Sequence, residues 1–521
     1  MLDIIQFINQ QISFLNPLYL TIAVLSFLFF AYFLIKWLTS SPHRNPPPSP
    51  PKLPILGNLH QLGKNIHRSL SSLAQRYGPD LMLLHFGSKP VVVVSSSDAA
   101  REIVKTHDIA FSSRPTTAVY RRLLYNNKDV AGAPYGEYWR QMRSICVLHL
   151  LSNRRVQSYR SVREEEVGVL IEKIKQFSSK SLPVNLSQML SCLTNDVISR
   201  IAFGRKYSGD DGEDGIKFQR LLGDFMRLLG SFSVGEYIPF LGWINWINGL
   251  NKSVDRTAKE LDEFIDAIVE EHMDGFSSEG SEEDVKDFVH VLLELQKEYG
   301  VGGSLDRESI KALILDVFAG GTDTSSTVLE WIMTELIRHP RVMKELQNEV
   351  KRVAREKAST SHITEADLDK MHYTKLVIKE ALRLYSPLPL LGPRETIQDV
   401  KVMGYHIAAG TMVLTNGWAI SRDPKTWTKP EEFWPERFLN NSIDFRGHDF
   451  EFIPFGTGRR GCPGVSFALP VVELVLANLV KNFEWALPDG AKGEDLDLAE
   501  TFGVTIHRKN PLLAVATPTS D

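Results

Sequence analysis

Phe455-Gly456-Thr457-Gly458-Arg459-Arg460-Gly461-Cys462-Pro463-Gly464 is the stretch on which the reading of this chain turns. It sets one cysteine in a glycine-rich loop that opens a helix beginning near Val465. Such a loop lets the backbone come close to a flat ligand. A sulfur at a helix N-terminus accepts N–H bonds and lies at the positive end of the dipole, which favours a deprotonated, metal-ligating thiolate. Arg460 adds positive charge beside it. The same residues contain Gly456-x-Gly458-x-x-Gly461, which has the form of a dinucleotide fingerprint. That fingerprint needs a buried strand before it and an acidic residue on the next strand. Phe452-Ile453-Pro454-Phe455 is short and broken by proline, so the cysteine is read as a ligand instead.

Upstream, Ser309 to His339 carries apolar residues at helical spacing, interrupted by Gly320-Gly321-Thr322-Asp323-Thr324-Ser325-Ser326. Two mid-helix glycines cost about 1 kcal/mol each relative to alanine. A local rule broken this way marks either a functional opening or a packing pair with hydroxyls bonded back to the helix. Glu380 and Arg383 stand three apart on a helix ended by Ser386-Pro387, so they share a face. Exposed, such a pair would contribute only about 0.2–0.5 kcal/mol.

Together these segments resemble the cytochrome P450 family, whose F-x-x-G-x-R-x-C-x-G signature is met by Phe455, Gly458, Arg460, Cys462 and Gly464. The resemblance implies a mainly α fold with small β-sheets (α+β) and haem b ligated through Cys462. By the same resemblance Phe455 and Gly464 belong to the haem loop, Trp139 and Arg143 form a W-x-x-x-R cofactor-binding pair, and Arg143, Arg394 and Arg460 would hold the propionates. Asp323 would relay protons and Thr324 would hydrogen-bond dioxygen. Glu380 and Arg383, joined by Arg437 of Pro435-Glu436-Arg437-Phe438, would form a buried structural cluster. Substrate positions would lie near Arg114 to Tyr120, at Val317, Phe318, Leu388 and Leu391, and in Phe502 to Thr505, with Phe502 and Val504 foremost. Electrons would come from NADPH through an NADPH-cytochrome reductase, with O2 as co-substrate. A basic face of Arg140, Arg154, Arg155, Arg459 and Lys481 would receive that acidic partner. The motifs look most like the plant microsomal class that oxidises lipophilic specialised metabolites. Members that rearrange peroxides typically depart from the Asp-Thr pair, which is intact here, and a mere haem carrier would need neither that pair nor a reductase face.

The remaining sequence sets limits. A net charge of -4 over 521 residues gives no overall field for nucleic acid. Three scattered cysteines exclude a disulfide framework and suit a reducing compartment; Cys146 and Cys192 read as inert buried thiols. Leu18 to Ile35 is uncharged and long enough to span a bilayer, and Lys36, Arg44 and Lys52 follow it. The positive-inside rule then puts the rest in the cytosol, as a single-pass protein of the endoplasmic reticulum membrane. The expected organisation is an anchor over 1–36, a proline-rich strut over 37–54 and one catalytic domain over 55–521. A hairpin is expected from Leu81–Phe86 and Val91–Val94, helix from about Ala99 to Tyr385, strand and loop from Val400 to Phe438, and a polar loop at Phe276 to Asp284. Pro470 should kink or delay the last helix.

Overall fold

The computed structural model describes residues 17–38, 45–207, 213–275, 286–299, 305–356, 362–501 and 503–519. The polar loop expected at Phe276 to Asp284 lies outside them. Two units are distinguished, one of Met1–Pro46 with Gly404–His406 and one of Pro47–Met403 with Ile407–Asp521. In the first, a helix runs Pro17–Leu38 over the expected apolar stretch. Large apolar side chains there face outward, among them Phe27, Leu28 and Phe30, as a lipid-facing helix would require. The second unit begins inside the stretch read as a strut. Pro48 accepts a hydrogen bond from the Leu83 N–H at 2.8 Å, and the Asn58 side chain ties down the Pro50 and Pro51 carbonyls. The prolines from Pro48 onward are thus fastened to the body.

That body is mainly helical. Four helices position the site: α1 (Glu137–Ile145), α2 (Arg307–Arg338), α3 (His372–Leu384) and α4 (Val465–Asn482). Helix α2 starts at Asp306, whose carboxylate accepts the Ser309 N–H at 2.8 Å and caps the first turn. It is buried on nearly every side, as its apolar residues all round require. Its two glycines differ in surroundings. A Cβ on Gly321 would meet Ile198 at 3.0 Å, so that glycine lets the helix Leu186–Phe203 pack close, whereas Gly320 has open space beside it. Thr324, Ser326 and Thr327 bond back to the carbonyls of Gly320, Thr322 and Asp323, which keeps the polar run helical.

Helix α4 is apolar and long enough to cross a membrane by composition, but it is buried in the core. It continues through Pro470 as one element, so the expected delay does not occur. Pro470 lies only six residues in, and the missing N–H removes one intrahelical bond from a helix held on several faces by packing.

A four-stranded sheet is ordered β1 (Leu81–Phe86), β2 (Lys89–Val94), β4 (Met412–Thr415), β3 (Arg394–Glu395). The hairpin is tighter than expected: Phe86 pairs with Lys89, leaving Gly87 and Ser88 as a two-residue turn with Gly87 at φ +57°. Pro90 joins the strand start, where pairing with β4 has not yet begun. Because β3 pairs with β4, the sheet edge delivers Arg394 into the interior.

Candidate active site

The Cys462 loop is built by hydrogen bonds rather than by regular structure. Cys462 N–H donates to the Phe455 carbonyl at 2.8 Å, and the Gly464 N–H donates to Cys462 Sγ at 3.3 Å. Gly456 and Gly458 both have positive φ, and a Cβ on Gly458 would strike Val104 at 2.4 Å. Protein surrounds Cys462, yet its Sγ opens onto an internal cavity, so the exposure of this thiol is to the cavity and not to bulk solvent. Burial pushes the thiol above its ordinary value, against the Gly464 N–H and Arg143. The Gly464 N–H and Arg143 favour the thiolate against this desolvation, and a bound metal cation would add to them.

Four arginines converge on one end of the same cavity: Arg114, Arg143, Arg394 and Arg460. Each is held by main-chain oxygens. Arg460 Nε reaches Ser112 O at 2.7 Å and its Nη2 reaches Ala133 O, while its guanidinium stacks 4.0 Å above Trp139. Trp139 is fixed in turn by the Val130 carbonyl at 3.0 Å. Arg143 donates to Gly461 O at 2.7 Å, tying α1 to the cysteine loop. Arg394 donates to Phe111 O and Thr457 O, and Arg114 to Ala131, Gly392 and Pro393 O. Among the described residues none of the four closes a salt bridge. Burial pulls Arg114 and Arg394 down to about 10 and Arg460 to about 9, with the neighbouring cations adding to it for Arg114 and Arg460. Four cations held by neutral carbonyls, with Asp129, Asp316 and Asp108 acting on them only at longer range, leave a positive end to the cavity that suits an anionic ligand.

The cavity encloses about 440 Å³ and runs from Cys462 to Gly320 and Thr324 on α2. Val317, Leu388, Leu391 and Val504 line it, with Phe225, Met226 and Leu229. An apolar slot with a thiol in its floor and cations at one end fits haem.

Behind α2, the Asp323 carboxylate points away from the cavity. His507 Nε2 stands 3.2 Å from its oxygens. The Thr327 hydroxyl gives its proton to Asp323 O, so it accepts from His507 Nδ1 at 3.0 Å. Nδ1 therefore carries a fixed proton and Nε2 an exchangeable one. Burial works against the charged ring, but the Asp323 hydrogen bond and charge outweigh it and hold His507 above the usual imidazole value. The ring keeps about a third of its surface in contact with solvent.

Glu380 and Arg383 are wholly buried. Arg383 grips both Glu380 oxygens at 2.8 and 2.9 Å, and Arg437 Nε donates to Oε1 at 2.9 Å together with the Trp434 N–H. The remaining guanidinium hydrogens reach carbonyls of Ser421, Pro430, Thr428 and Lys429.

The cytochrome P450 family model matches residues 47–515. The chain belongs to the cytochrome P450 family. It is 56% identical to cytochrome P450 736A117 of Prunus mume, with 99% of each chain covered. It is 51% identical to cytochrome P450 71A25 of Arabidopsis thaliana, over 95% of this chain and 98% of that one. Norfluorocurarine oxidase of a Strychnos species is also 51% identical, over 94% and 96%. The protein is accordingly an oxidoreductase of the haem-thiolate monooxygenase type.

Several positions carried over from this P450 pattern change place. Phe318 is not a pocket residue: it stacks on Phe203 and tilts against Phe218 in the core, because a helix turns about 100° between Val317 and its neighbour. Phe502 lies outside the described residues. Arg114 belongs to the cationic end rather than to a substrate wall. Of the basic face, Arg140 and Arg154 are exposed and Arg155 half-buried, but Arg459 is paired with Asp108. Lys481 lies roughly 24 Å along α4 from Val465, at a rise of about 1.5 Å per residue, which removes it from the cysteine loop. Cys146 is buried, lines the cavity wall and is pushed up to about 12 by burial, while Cys192 is only half-buried and accepts from Gln219. Sequence reasoning missed Asp129, buried, and Asp316, half-buried, at the cavity wall. Burial drives both carboxyls up, and each is partly neutralised by N–H donors: Gly132 on Asp129, Val130 and Ala131 on Asp316. They hold the loop whose carbonyls seat Trp139, Arg114 and Arg460.

Proposed function

We propose that this chain is a membrane-anchored monooxygenase that receives electrons from NADPH through a cytochrome reductase and inserts one oxygen atom of O2 into a lipophilic small molecule of plant specialised metabolism. The observation that carries this reading is the single cavity joining Cys462 Sγ to Gly320 and Thr324 between apolar walls. Cys462 would ligate haem iron, and Arg114, Arg143, Arg394 and Arg460, with Trp139 stacked behind, would hold its propionates. When bound, the thiolate-ligated haem supplies the dioxygen chemistry. The chain supplies the rest: Val317, Leu388, Leu391 and Val504 exclude water and orient an apolar substrate, and Gly320 leaves the room beside Thr324. The exposed Pro17–Leu38 helix serves as the anchor in the endoplasmic reticulum membrane, with 55–521 as the catalytic domain facing the cytosol. Arg140, Arg154 and Arg155 provide the basic approach for the reductase. The relative named norfluorocurarine oxidase has an activity of the same oxidative class. Membranes containing the chain and an NADPH-cytochrome reductase should convert a lipophilic substrate with 18O from 18O2 in the product. Product carrying oxygen from water alone would refute the assignment.

Protons reach the cavity from the side of α2 opposite the haem face. His507, a half-buried ring, passes its exchangeable Nε2 proton to Asp323, and the carboxyl delivers it to the Thr324 side by rotating about its own side-chain bonds. His507→Gln keeps a polar group there but carries no titrating proton. Product formed per NADPH consumed is expected to fall by about a hundredfold, the lower end of the range for lost acid–base assistance. The rate should fall as pH rises through the elevated His507 value, since the protonated ring is the donor. In Asp323→Asn the carboxylate that raises this value is gone, so the imidazole titration, followed by NMR of labelled histidine, should move to lower pH. An unchanged product-to-NADPH ratio in His507→Gln would remove His507 from the path.

A further inference from the structure

Helices Leu250–Gly275 and Phe288–Tyr299 bring together three ligating side chains that the haem site does not use: His272, Asp287 and His290. Their ligand atoms all lie within 4.8 Å of one another. His272 Nδ1 stands 2.7 Å from the Ile268 carbonyl oxygen, which only accepts, so Nδ1 carries the ring proton. Its Nε2 then turns toward Asp287 Oδ2 at 3.1 Å. His290 Nδ1 lies 2.9 Å from the same oxygen. Asp287 Oδ1 is occupied by the His290 backbone N–H at 2.9 Å, which fixes the carboxylate with Oδ2 facing the two rings. With Nδ1 carrying the proton, the Nε2 lone pair of neutral His272 faces the Asp287 Oδ2 lone pairs, and a proton or a metal cation between them resolves the conflict. An Nδ1–H on His290 and an added proton on His272 Nε2 can serve the two contacts with Asp287 Oδ2, and a metal ion can take the place of both protons.

We propose that His272 Nε2, Asp287 Oδ2 and His290 Nδ1 form a binding site for a divalent transition-metal ion, best matched by Zn2+. Two imidazoles and one carboxylate suit zinc, whereas Mg2+ and Ca2+ take oxygen ligands. The hydrogen bond from His272 Nδ1 to a backbone carbonyl is the outer contact by which metal-ligating histidines are oriented. Tetrahedral zinc, with bonds near 2.0–2.1 Å, sets donor atoms about 3.4 Å apart. The two Asp–His separations need only open by a few tenths of an ångström, while the His–His gap closes. Asp287 is 8% exposed and His290 37%, so the carboxylate anchors the ion and a water completes it on the His290 side. Because the donors come from two helices, the ion would fasten the end of one to the start of the next and stabilise the folded chain by mass action.

The test uses the haem-loaded protein, as wild type, His290→Ala and His272→Gln, dialysed against chelator-buffered Zn2+ with metal analysis and thermal unfolding. The carbon-monoxide difference spectrum of each variant reports whether its fold is intact. The expected result is one Zn2+ per wild-type chain, a higher unfolding temperature with the metal, and binding at least about tenfold weaker in either variant, the lower bound for losing even an outer partner of a metal site. Equal Zn2+ affinity in the wild type and both spectrally intact variants, or no saturable binding by the wild type at micromolar Zn2+, would overturn the proposal. Neither result bears on the haem site.

Discussion

Glu380→Ala is expected to leave almost no folded, haem-loaded protein. Among the described residues Glu380 is the carboxylate that both arginines bond, and it also holds the Trp434 N–H. Removing it leaves Arg383, wholly buried, and Arg437, with its side chain 5% exposed, without that counter-charge. Breaking one partner out of a buried pair costs about 3–5 kcal/mol, and two cations share this one. A whole domain has only about 5–15 kcal/mol of stability. Glu380→Gln keeps the acceptor for the Trp434 N–H and should be milder, though still severe. The yield of protein with a carbon-monoxide difference band, compared with total chain on immunoblots, measures the effect. Wild-type yield from Glu380→Ala would show that the cluster does not hold the fold.

The second large effect is expected at the cationic end of the cavity. Hydrogen bonds to a charged partner contribute about 1.5–3 kcal/mol each, so Arg394→Ala with Arg460→Ala should weaken haem retention by roughly 10² to 10⁴-fold. Arg460→Lys alone should weaken it too, since lysine loses the fork that spans Ser112 and Ala133 and the stack on Trp139. Transfer of haem to an acceptor apoprotein measures this without reference to turnover. Retention equal to the wild type in the double variant would mean that these arginines face something other than the propionates.

How much of this was legible in the sequence follows the distance along the chain over which each feature is encoded. The cysteine loop is contiguous, and its glycines announce the positive φ angles that the loop adopts. Glu380 and Arg383 are one helical turn apart, so their shared face is legible from spacing, while their burial and the joining of Arg437 needed the resemblance. Helix α2 declared itself by period, yet periodicity gave no account of why Gly320 and Gly321 differ; that depends on Ile198, more than a hundred residues away. The contact of His507 with Asp323 spans 184 residues and has no local signal. Asp129 and Asp316 look in sequence like ordinary acidic residues, and only folding brings them beside each other. Phe318 was misplaced because chain neighbourhood near a motif does not specify which face of a helix a residue occupies.

The central claim is that Cys462 ligates the haem iron, and the carbon-monoxide difference spectrum of reduced membranes, recorded for the wild type and for Cys462→Ser, tests it most directly. The account predicts a Soret band at the long-wavelength position of thiolate-ligated haem in the wild type, absent from the serine variant. The same long-wavelength band in both would contradict it.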